Sequence, residues 1–320
     1  MKALTNNIVI RYHRHIEEAL KALDLPITPL YQAMQWLLQS EGKRIRPLLM
    51  LLSYQAVGGT SPHRVMYQAL ALELFHTFTL VHDDIMDQSP LRRGQPTVHI
   101  QFGLPTAILA GDALHVLAHQ YLVKNVSDTD LAIALVDSFN EMAVLICEGQ
   151  QEDMEFEKIF PSVNAYLQMI YKKTACLLGV SLKIGALLGR CSIPKRISLL
   201  EEFGVNLGLA YQIQDDYLDF YGAETGKQIG GDILAQKRNL LTLLTAEQLG
   251  SSVVEEGFAI VDVQEKLNYF KKIFEQVEIE EQVLGYIKQY QRKALFALKA
   301  IKGNTRYLEE VFVQLTERKR

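Results

Sequence analysis

The 320-residue chain contains few of the residues that interrupt helices or cross-link a fold. It has nine prolines, twenty glycines and one tryptophan. Its three cysteines, Cys147, Cys176 and Cys191, lie in apolar helical surroundings and lack the paired spacing of a zinc site. We therefore expect reduced thiols in the core, with neither disulfides nor structural zinc.

Long apolar runs and a strong excess of either charge are also missing. Nowhere do about eighteen apolar residues follow one another, so the sequence predicts no membrane-spanning helix. The 33 basic and 37 acidic residues are mixed along the chain and give a net charge of −4. This balance offers no attraction to nucleic acid or to an anionic membrane. No signal-peptide pattern opens the sequence, so we expect a cytoplasmic protein with no nucleic-acid partner and no stable membrane insertion.

The remaining pattern is helical. Apolar residues recur at spacings of three and four, as on one face of a helix, and no stretch has the composition of an interdomain linker. The pattern predicts an all-α single domain over residues 1–320, a bundle of roughly ten to thirteen helices around a central cavity. The predicted helices, with ends uncertain by a few residues, span 5–22, 28–39, 45–58, 63–87, 104–125, 129–157, 163–189, 195–221, 238–249, 252–275, 278–301 and 304–318.

Two acidic motifs stand out within apolar helices. LVHDDIMD and YQIQDDYLD both contain the pattern DDxxD. Residues four apart lie roughly 5–6 Å from each other on one helix face, so each motif pairs like charges that need a cation between them. Carboxylate oxygens without a calcium-binding loop favour magnesium, whose coordination substrate phosphates usually complete. The predicted metal ligands are Asp83, Asp84, Asp87, Asp215, Asp216 and Asp219.

Basic residues occur where phosphates could reach the same cavity. Guanidinium groups suit bidentate phosphate contacts, and lysines supply point charges. His76 lies two helical turns before Asp83 and is predicted to face the same cavity. For a single acidic motif, a solvated helix end is an equally good interpretation, as is a solvated surface for Lys172 and a buried core position for His76. The basic candidates are Lys43, Arg44, Arg46, Arg92, Arg93, Lys172, Lys173, Lys227, Lys237 and Arg238.

Together these motifs resemble the trans-isoprenyl diphosphate synthase family, which includes farnesyl and geranylgeranyl diphosphate synthases. The similarity covers residues 42–239 in the order expected of the family. It comprises GKRIRP, LVHDDIMDQSPLRRGQPT, GDAL, GQQED, KKTA, YQIQDDYLDF and GKQIGGDILAQKRN. The resemblance implies the isoprenoid synthase fold and a head-to-tail condensation of an allylic diphosphate with isopentenyl diphosphate. The product would be a short chain, either farnesyl or geranylgeranyl diphosphate.

The resemblance also implies a role for each motif residue. The isopentenyl diphosphate would be bound by Lys43, Arg46, His76 and Arg93. The allylic diphosphate would be bound by Arg92, Lys173, Thr174, Gln212, Lys227 and Lys237. About three magnesium ions would be held by Asp83, Asp87 and Asp215, supported by the other three motif aspartates. Lys173, Thr174 and Gln212 would be the catalytic residues, the last two beside the carbocation, with Gln150 and Asp153 adding polar groups to the metal site.

Product length and assembly follow from the same resemblance. Phe78 and Thr79, five and four positions before Asp83, would form the floor on which the growing chain ends, and family members are commonly homodimers.

The sequence departs from the family pattern at Glu41, where a second glycine is usual. The first acidic motif also lacks the two-residue insertion of many bacterial farnesyl synthases, which weakens a farnesyl-only assignment.

Three alternatives remain at this stage. A class I terpene cyclase shares the fold and an aspartate motif but usually has a different second metal motif and lacks GKRxRP. An HD-type metal phosphohydrolase would use His82 and Asp83, yet all eight histidines lie between His13 and His119, far in sequence from Asp215. A non-catalytic regulatory subunit would not need both acidic motifs intact.

Overall fold

A computed structural model describes residues 7–40, 42–222 and 230–317 and confirms the all-α fold. Sixteen α-helical segments occur within these ranges. The first eight are α1 (Asn7–Lys21), α2 (Pro29–Leu38), α3 (Ile45–Ala56), α4 (Met66–Met86), α5 (Val98–Phe102), α6 (Leu104–Val123), α7 (Thr129–Phe156) and α8 (Val163–Ile170). The others are α9 (Cys176–Leu188), α10 (Pro194–Tyr221), α11 (Gly231–Leu234), α12 (Leu240–Leu249), α13 (Ser251–Ala259), α14 (Val263–Gln276), α15 (Ile279–Ala300) and α16 (Arg306–Thr316).

The helix count exceeds the predicted number for three reasons. The helix predicted over 163–189 is α8 and α9, joined by a π-helical turn. The stretch predicted as one helix over 252–275 is two helices, because Ile260 is extended and Asp262 caps α14 by accepting a hydrogen bond from the Glu265 amide at 2.8 Å. The short helices α5 and α11 were not predicted, since five and four residues are too few to show helical periodicity.

Apolar side chains gather into two core clusters. The first is built mainly by α1–α4, α6, α7, α9 and α16. The second is built mainly by α8 and α11–α15. The long helix α10 contributes to both, with Phe203 and Leu207 in the first cluster and Leu209 and Ile213 in the second. The single domain over residues 1–320 stays a prediction.

A small hairpin interrupts the helical chain directly after α4. Strands β1 (Leu91–Arg92) and β2 (Gln95–Pro96) pair antiparallel, so that Arg93 and Gly94 form the turn. Both turn residues have positive φ, 54° and 77°, as a type I′ turn requires. The hairpin was predicted only as an irregular break, and it fixes the backbone of two candidate phosphate-binding arginines.

The helix predicted over 163–189 contains a wider turn at Tyr171–Ala175 (YKKTA), where the backbone is π-helical. It packs against α7 at Gly149, where a Cβ atom would lie 2.5 Å from the Lys173 amide nitrogen. Only glycine permits this approach. Since π turns in proteins are frequent at functional sites, the segment bearing Lys173 and Thr174 is a structural marker of the site.

The cysteines partly depart from prediction. All three are free thiols, as expected. Cys176 is buried, and burial raises the pKa of its thiol to about 12. Cys147, however, is exposed and Cys191 is half-buried, so the prediction of core thiols is wrong for these two. Among the described residues, no helix is both long and apolar enough to cross a membrane.

Candidate active site

The first acidic motif lies at the end of α4, and its aspartates have different surroundings. Asp84 is 1% exposed and accepts a hydrogen bond from Arg92 Nε at 2.7 Å. Burial raises the pKa of Asp84, and Arg92 opposes that effect. The second oxygen, Asp84 Oδ2, is buried with no hydrogen-bond partner in the described parts of the chain. Asp83 is less buried, and Asp87 caps the helix end.

Lys173 links this motif to α7. Its Nζ lies 2.6 Å from Asp153 Oδ2 and 3.3 Å from Asp83 Oδ1. Burial lowers the pKa of Lys173, but Asp83 and Asp153 outweigh it and leave the pKa well above the ordinary value. The pKa of Asp87 is raised, first by burial and then by Asp83. A charged lysine therefore occupies the gap between carboxylates that repel one another.

The second acidic motif lies on α10 and begins a chain of buried hydrogen bonds. Asp216 accepts hydrogen bonds from Tyr166 Oη and, at 3.1 Å, from Gln212 Nε2. Gln212 Oε1 in turn accepts from Thr174 Oγ1 at 3.2 Å. Burial, followed by the charge of Asp232, raises the pKa of Asp216 to about 8. The two side chains predicted to lie beside the carbocation, Thr174 and Gln212, are thus in contact and held in a defined orientation.

Asp219 connects the second motif to the first through Lys237. Its Oδ2 accepts a hydrogen bond from the Asp232 amide at 2.8 Å. Burial lowers the pKa of Lys237, but the carboxylates of Asp232 and then Asp87 raise it above the ordinary value. Lys237 interacts electrostatically with Asp87 at the end of α4 and with Asp232 of α11, whose amide is bonded to Asp219 on α10. This lysine therefore links the first acidic motif to the second through Asp232.

A cavity of about 260 Å³ opens at this point. Asp87 and Lys237 form part of its wall, together with Glu157, Ala235, Gln236 and Arg238. The Nη atoms of Arg238 donate to the Glu157 and Gln236 carbonyl oxygens and pair with Glu255, while its buried Nε has no partner in the described chain. Lys172 likewise pairs with carboxylates on α7 and matches the solvated-surface interpretation. Lys227 lies outside the described residues.

A second basic group surrounds His76. Arg46 is half-buried, and its Nε has no hydrogen-bond partner among the residues the structure describes. Burial lowers the pKa of His76 well below its usual value, and the charges of Arg46 and Arg93 lower it further. His76 is therefore a neutral imidazole beside two guanidinium groups. Lys43 is exposed at the edge of this group, 3.4 Å from Tyr211 Oη.

The predicted chain-length residues lie one to two turns before Asp83. Phe78 stacks on the imidazole of His115 from α6, with ring centres 4.8 Å apart and planes 12° from parallel. It also contacts His82 edge-on at 4.9 Å. Thr79 is half-buried and donates to the His76 carbonyl oxygen. Phe78 is thus backed by the His115 ring, and it also packs against Phe75 of the first core cluster at 5.3 Å between ring centres.

The donor set fits magnesium only with help from a ligand. Within the described ranges, no three acidic, histidine or cysteine side chains are placed to bind a metal ion by themselves. The unpartnered Asp84 Oδ2 and the position of Lys173 between Asp83 and Asp153 show, however, that the first motif carries negative charge for which a cation is needed. Magnesium commonly keeps several waters and is completed by substrate phosphates, so one or two carboxylates from each helix are sufficient.

Several residues of the site were not predicted. Tyr166 and Asp232 bond to the second motif, and Glu73 pairs with Arg44 at 2.7 Å. Glu73 could have been found by its position, because an acidic residue stands three positions before His76 inside an apolar helix. Tyr166 and Asp232 carry no comparable signal, since their neighbours in space are distant in sequence.

Comparisons with known proteins agree with this geometry. A family model described as polyprenyl synthetase matches residues 27–277. The short chain isoprenyl diphosphate synthase of Methanothermobacter thermautotrophicus is 38% identical over 309 residues, covering 95% of this chain and 93% of that protein. A crystal structure of geranylgeranyl pyrophosphate synthase superposes with a TM-score of 0.91 at 36% identity, covering 98% of this chain and 100% of the other. The polyprenyl synthase of Caulobacter crescentus, solved with calcium and isoprenyl diphosphate, gives 0.84 at 25% identity, covering 98% and 97%.

The chain belongs to the polyprenyl synthetase family. It is a prenyl-transferring enzyme with the all-α isoprenoid synthase fold. This membership sets aside the terpene cyclase, the HD-type hydrolase and the non-catalytic subunit. The HD pair also has a local explanation, because His82 lies 3.2 Å from the Ile108 carbonyl oxygen and 3.9 Å from Asp112 on α6.

Proposed function

We propose that this enzyme condenses an allylic diphosphate with isopentenyl diphosphate, head to tail, to give a short-chain trans-prenyl diphosphate. The observation that carries the proposal is that two charged lysines lie between the first acidic motif and carboxylates of α7 and α11, and that α11 is bonded to Asp219 of the second motif. Lys173 contacts Asp83 and Asp153, and Lys237 interacts with Asp87 and Asp232. Paired carboxylates and charged lysines around one cavity suit a magnesium-bound diphosphate.

In this proposal the allylic diphosphate binds between the acidic helices. Asp83 and Asp87 on α4 and Asp215 on α10, supported by the other motif aspartates, would hold about three magnesium ions. Magnesium, when bound, stabilises the negative charge that develops on the departing diphosphate. Lys173 and Lys237 remain protonated because neighbouring carboxylates raise their pKa, so they donate to the same diphosphate oxygens. Arg92, oriented by Asp84, adds a further donor.

The allylic carbon–oxygen bond breaks in the first step and leaves a carbocation. Thr174 Oγ1 and Gln212 Oε1 lie 3.2 Å apart and offer oxygen lone pairs to this cation. The double bond of isopentenyl diphosphate then forms the new carbon–carbon bond, and loss of a proton, which the family resemblance assigns to the departed diphosphate, restores a double bond. The apolar helices around the site keep water from the cation.

Isopentenyl diphosphate binds at the second basic group, formed by Lys43, Arg46, His76 and Arg93. Arg46 brings a buried N–H that lacks a partner in the described chain, which an anion would satisfy. His76, neutral because its pKa is lowered, donates one N–H without adding charge. Two guanidinium groups beside a neutral imidazole match the charge of a diphosphate.

We infer that the product is farnesyl or geranylgeranyl diphosphate, because the Phe78 ring and His115 stacked behind it would end the chain.

A homodimer is supported by side chains on α6 and α7 that are apolar yet exposed, since monomers rarely leave such faces uncovered. They include Ile108, Leu109, Val116, Ile133 and Val144. Cytoplasmic location stays a prediction.

The test is charge removal without change of shape. We expect Asp83→Asn and Asp215→Asn each to lower kcat on the order of 10²-fold or more, because each removes a carboxylate that balances magnesium. Asp24→Asn, at an exposed aspartate between α1 and α2, is the matched control and keeps full activity. Turnover is followed with labelled isopentenyl diphosphate and dimethylallyl, geranyl or farnesyl diphosphate. Near-normal rates in either motif variant would overturn the assignment.

A further inference from the structure

Arg93 reaches from the turn of the hairpin to the end of α2. Its Nη1 donates a hydrogen bond to Ser40 Oγ at 2.9 Å. Arg93 adopts a left-handed backbone conformation, φ 54°, which few non-glycine residues occupy. The second anchor between hairpin and α2 is Trp36, whose Nε1 donates to the Pro96 carbonyl oxygen at 2.9 Å. The arginine-bearing hairpin is therefore attached to α2 at two points.

Ser40 is itself held on several sides. Its hydroxyl donates to the Leu37 carbonyl oxygen at 2.7 Å, and its amide donates to the same oxygen at 3.2 Å. Its own carbonyl oxygen accepts from Arg44 Nη2 at 2.8 Å. The residue is only 9% exposed. Its Oγ is thus a hydrogen-bond acceptor of fixed position for the guanidinium group of Arg93.

Each of the three nitrogens of the Arg44 guanidinium group has a hydrogen-bond partner inside the protein. Nε bonds to Glu17 at 2.8 Å, Nη1 to Glu73 at 2.7 Å and Nη2 to the Leu38 carbonyl oxygen at 2.7 Å. The side chain is 1% exposed. Arg46, two residues later, keeps a buried Nε for which the described chain offers no partner. Of these two arginines in one short motif, Arg46 is the one with a buried nitrogen left for a ligand to pair.

The two arginines next to Ser40 approach each other closely. At Gly42 a Cβ atom would lie 3.1 Å from Nη1 of both Arg44 and Arg93. Two guanidinium groups that border the same point repel each other, and the buried carboxylate of Glu73 offsets part of that repulsion. Gly42 therefore leaves room for both cations, while the hydrogen bond to Ser40 holds Arg93 where repulsion from Arg44 would displace it.

We propose that Ser40 and Arg44 are positioning residues for the isopentenyl diphosphate subsite. They touch no substrate: Arg44 fixes Ser40, and Ser40 fixes the guanidinium of Arg93. This inference rests on the proposed function, which assigns Arg93 to that diphosphate. It also predicts that the effect is confined to one of the two substrates.

The test uses Ser40→Ala in the full-length enzyme. Loss of one hydrogen bond that orients Arg93 without touching the substrate predicts a rise of about three- to tenfold in KM for isopentenyl diphosphate. We expect kcat and KM for the allylic substrate to be unchanged, because the acidic helices and Lys173 are untouched. Ser181→Ala is the matched control: its buried hydroxyl also donates to a carbonyl oxygen of its own helix, that of Leu177. Melting temperatures of both variants equal to that of the unmutated enzyme show that the fold is intact.

A double-mutant cycle with Arg93→Ala distinguishes the positioning role of Ser40 from the assignment of Arg93 to the isopentenyl diphosphate subsite. The inference holds if Arg93→Ala and Ser40→Ala each raise KM for isopentenyl diphosphate and Ser40→Ala has no further effect once Arg93 is absent. Additive effects, or an unchanged KM in Ser40→Ala alone, overturn the positioning role and leave the proposed function standing. An unchanged KM in Arg93→Ala overturns the assignment of the subsite, and the inference with it.

Discussion

Adjacent residues of one type have different surroundings at this site. Asp84 is buried and bonded to Arg92, whereas Asp83 is more exposed and faces Lys173. The side chain of Asp84 therefore fixes a cation, and that of Asp83 remains accessible to one. Arg44 and Arg46 differ in the same way: the nitrogens of Arg44 are paired within the protein, whereas the buried Nε of Arg46 has no partner in the described chain. Chemical identity sets what a side chain can bind, and the partners already engaged decide whether it does.

The product-length assignment is tested at one residue. We expect Phe78→Ala to shift the product toward longer chains, because it removes the ring that lies on His115 and opens the space behind it. Products are separated by reversed-phase chromatography after dephosphorylation. Phe312→Ala, which truncates a half-buried ring on α16, is the control for lost stability and leaves product length unchanged. An unaltered profile in Phe78→Ala would assign the ring to core packing alone.

At the scale of elements, the π-helical turn at Tyr171–Ala175 connects α8 to α9 along the chain and packs against both α7 and α10. It places Lys173 toward Asp83 and Asp153 and Thr174 toward Gln212. A regular α-helix would present these two side chains at a different angle, because the wider turn changes the rotation per residue. The turn depends on the close approach of Gly149.

We predict that Gly149→Ala lowers kcat about tenfold or more and reduces stability. The new methyl group would lie 2.5 Å from the Lys173 amide nitrogen, so the turn must move away from α7. A displacement of about 1 Å at a catalytic group can cost on the order of 10²-fold in rate. Activity assays and thermal melts measure the two effects.

Gly285→Ala provides the matched control. Gly285 is an exposed position of α15 where a Cβ atom meets no neighbour within 4 Å. There alanine is expected to stabilise the enzyme by about 0.5–1 kcal/mol, since it restricts the unfolded chain and favours the helix. Equal kinetics in Gly149→Ala and Gly285→Ala would show that the approach of α7 does not position Lys173.

For the whole molecule, the two acidic motifs and their helices follow from sequence because their spacing matches the helical period. The hydrogen bonds of the Arg44 guanidinium group do not follow from the sequence, because its partners Glu17 and Glu73 come from helices far apart in the chain. The split at Ile260 was missed because apolar periodicity continues on both sides of it. Arg93 and Gly94 were seen as a break, but only pairing across the turn makes them a hairpin. Properties set by neighbours along the chain were predictable, and those set by contacts between distant segments were not.

The convergence of α4 and α10 has a consequence for stability that does not depend on turnover. In the absence of ligand, Lys173 and Lys237 compensate the carboxylates only partly, and the pKa of Asp87 stays raised by burial and by Asp83. Magnesium with inorganic pyrophosphate would bind α4 and α10 together, and a ligand at about 100 times its Kd stabilises the folded state by about 2.7 kcal/mol. We therefore expect magnesium and pyrophosphate together to raise the melting temperature by a few degrees, more than either alone.

The Asp83→Asn variant shows whether that stabilisation arises at the proposed site. It removes one carboxylate from the metal set and keeps its shape, so the joint increase in melting temperature should largely disappear, whereas Asp24→Asn should retain it. Pyrophosphate alone can still bind Arg46 and Lys43, and any small shift it causes should be the same in both variants. If Asp83→Asn kept the full joint increase, the ions would bind elsewhere, and the two acidic helices would not form one diphosphate site.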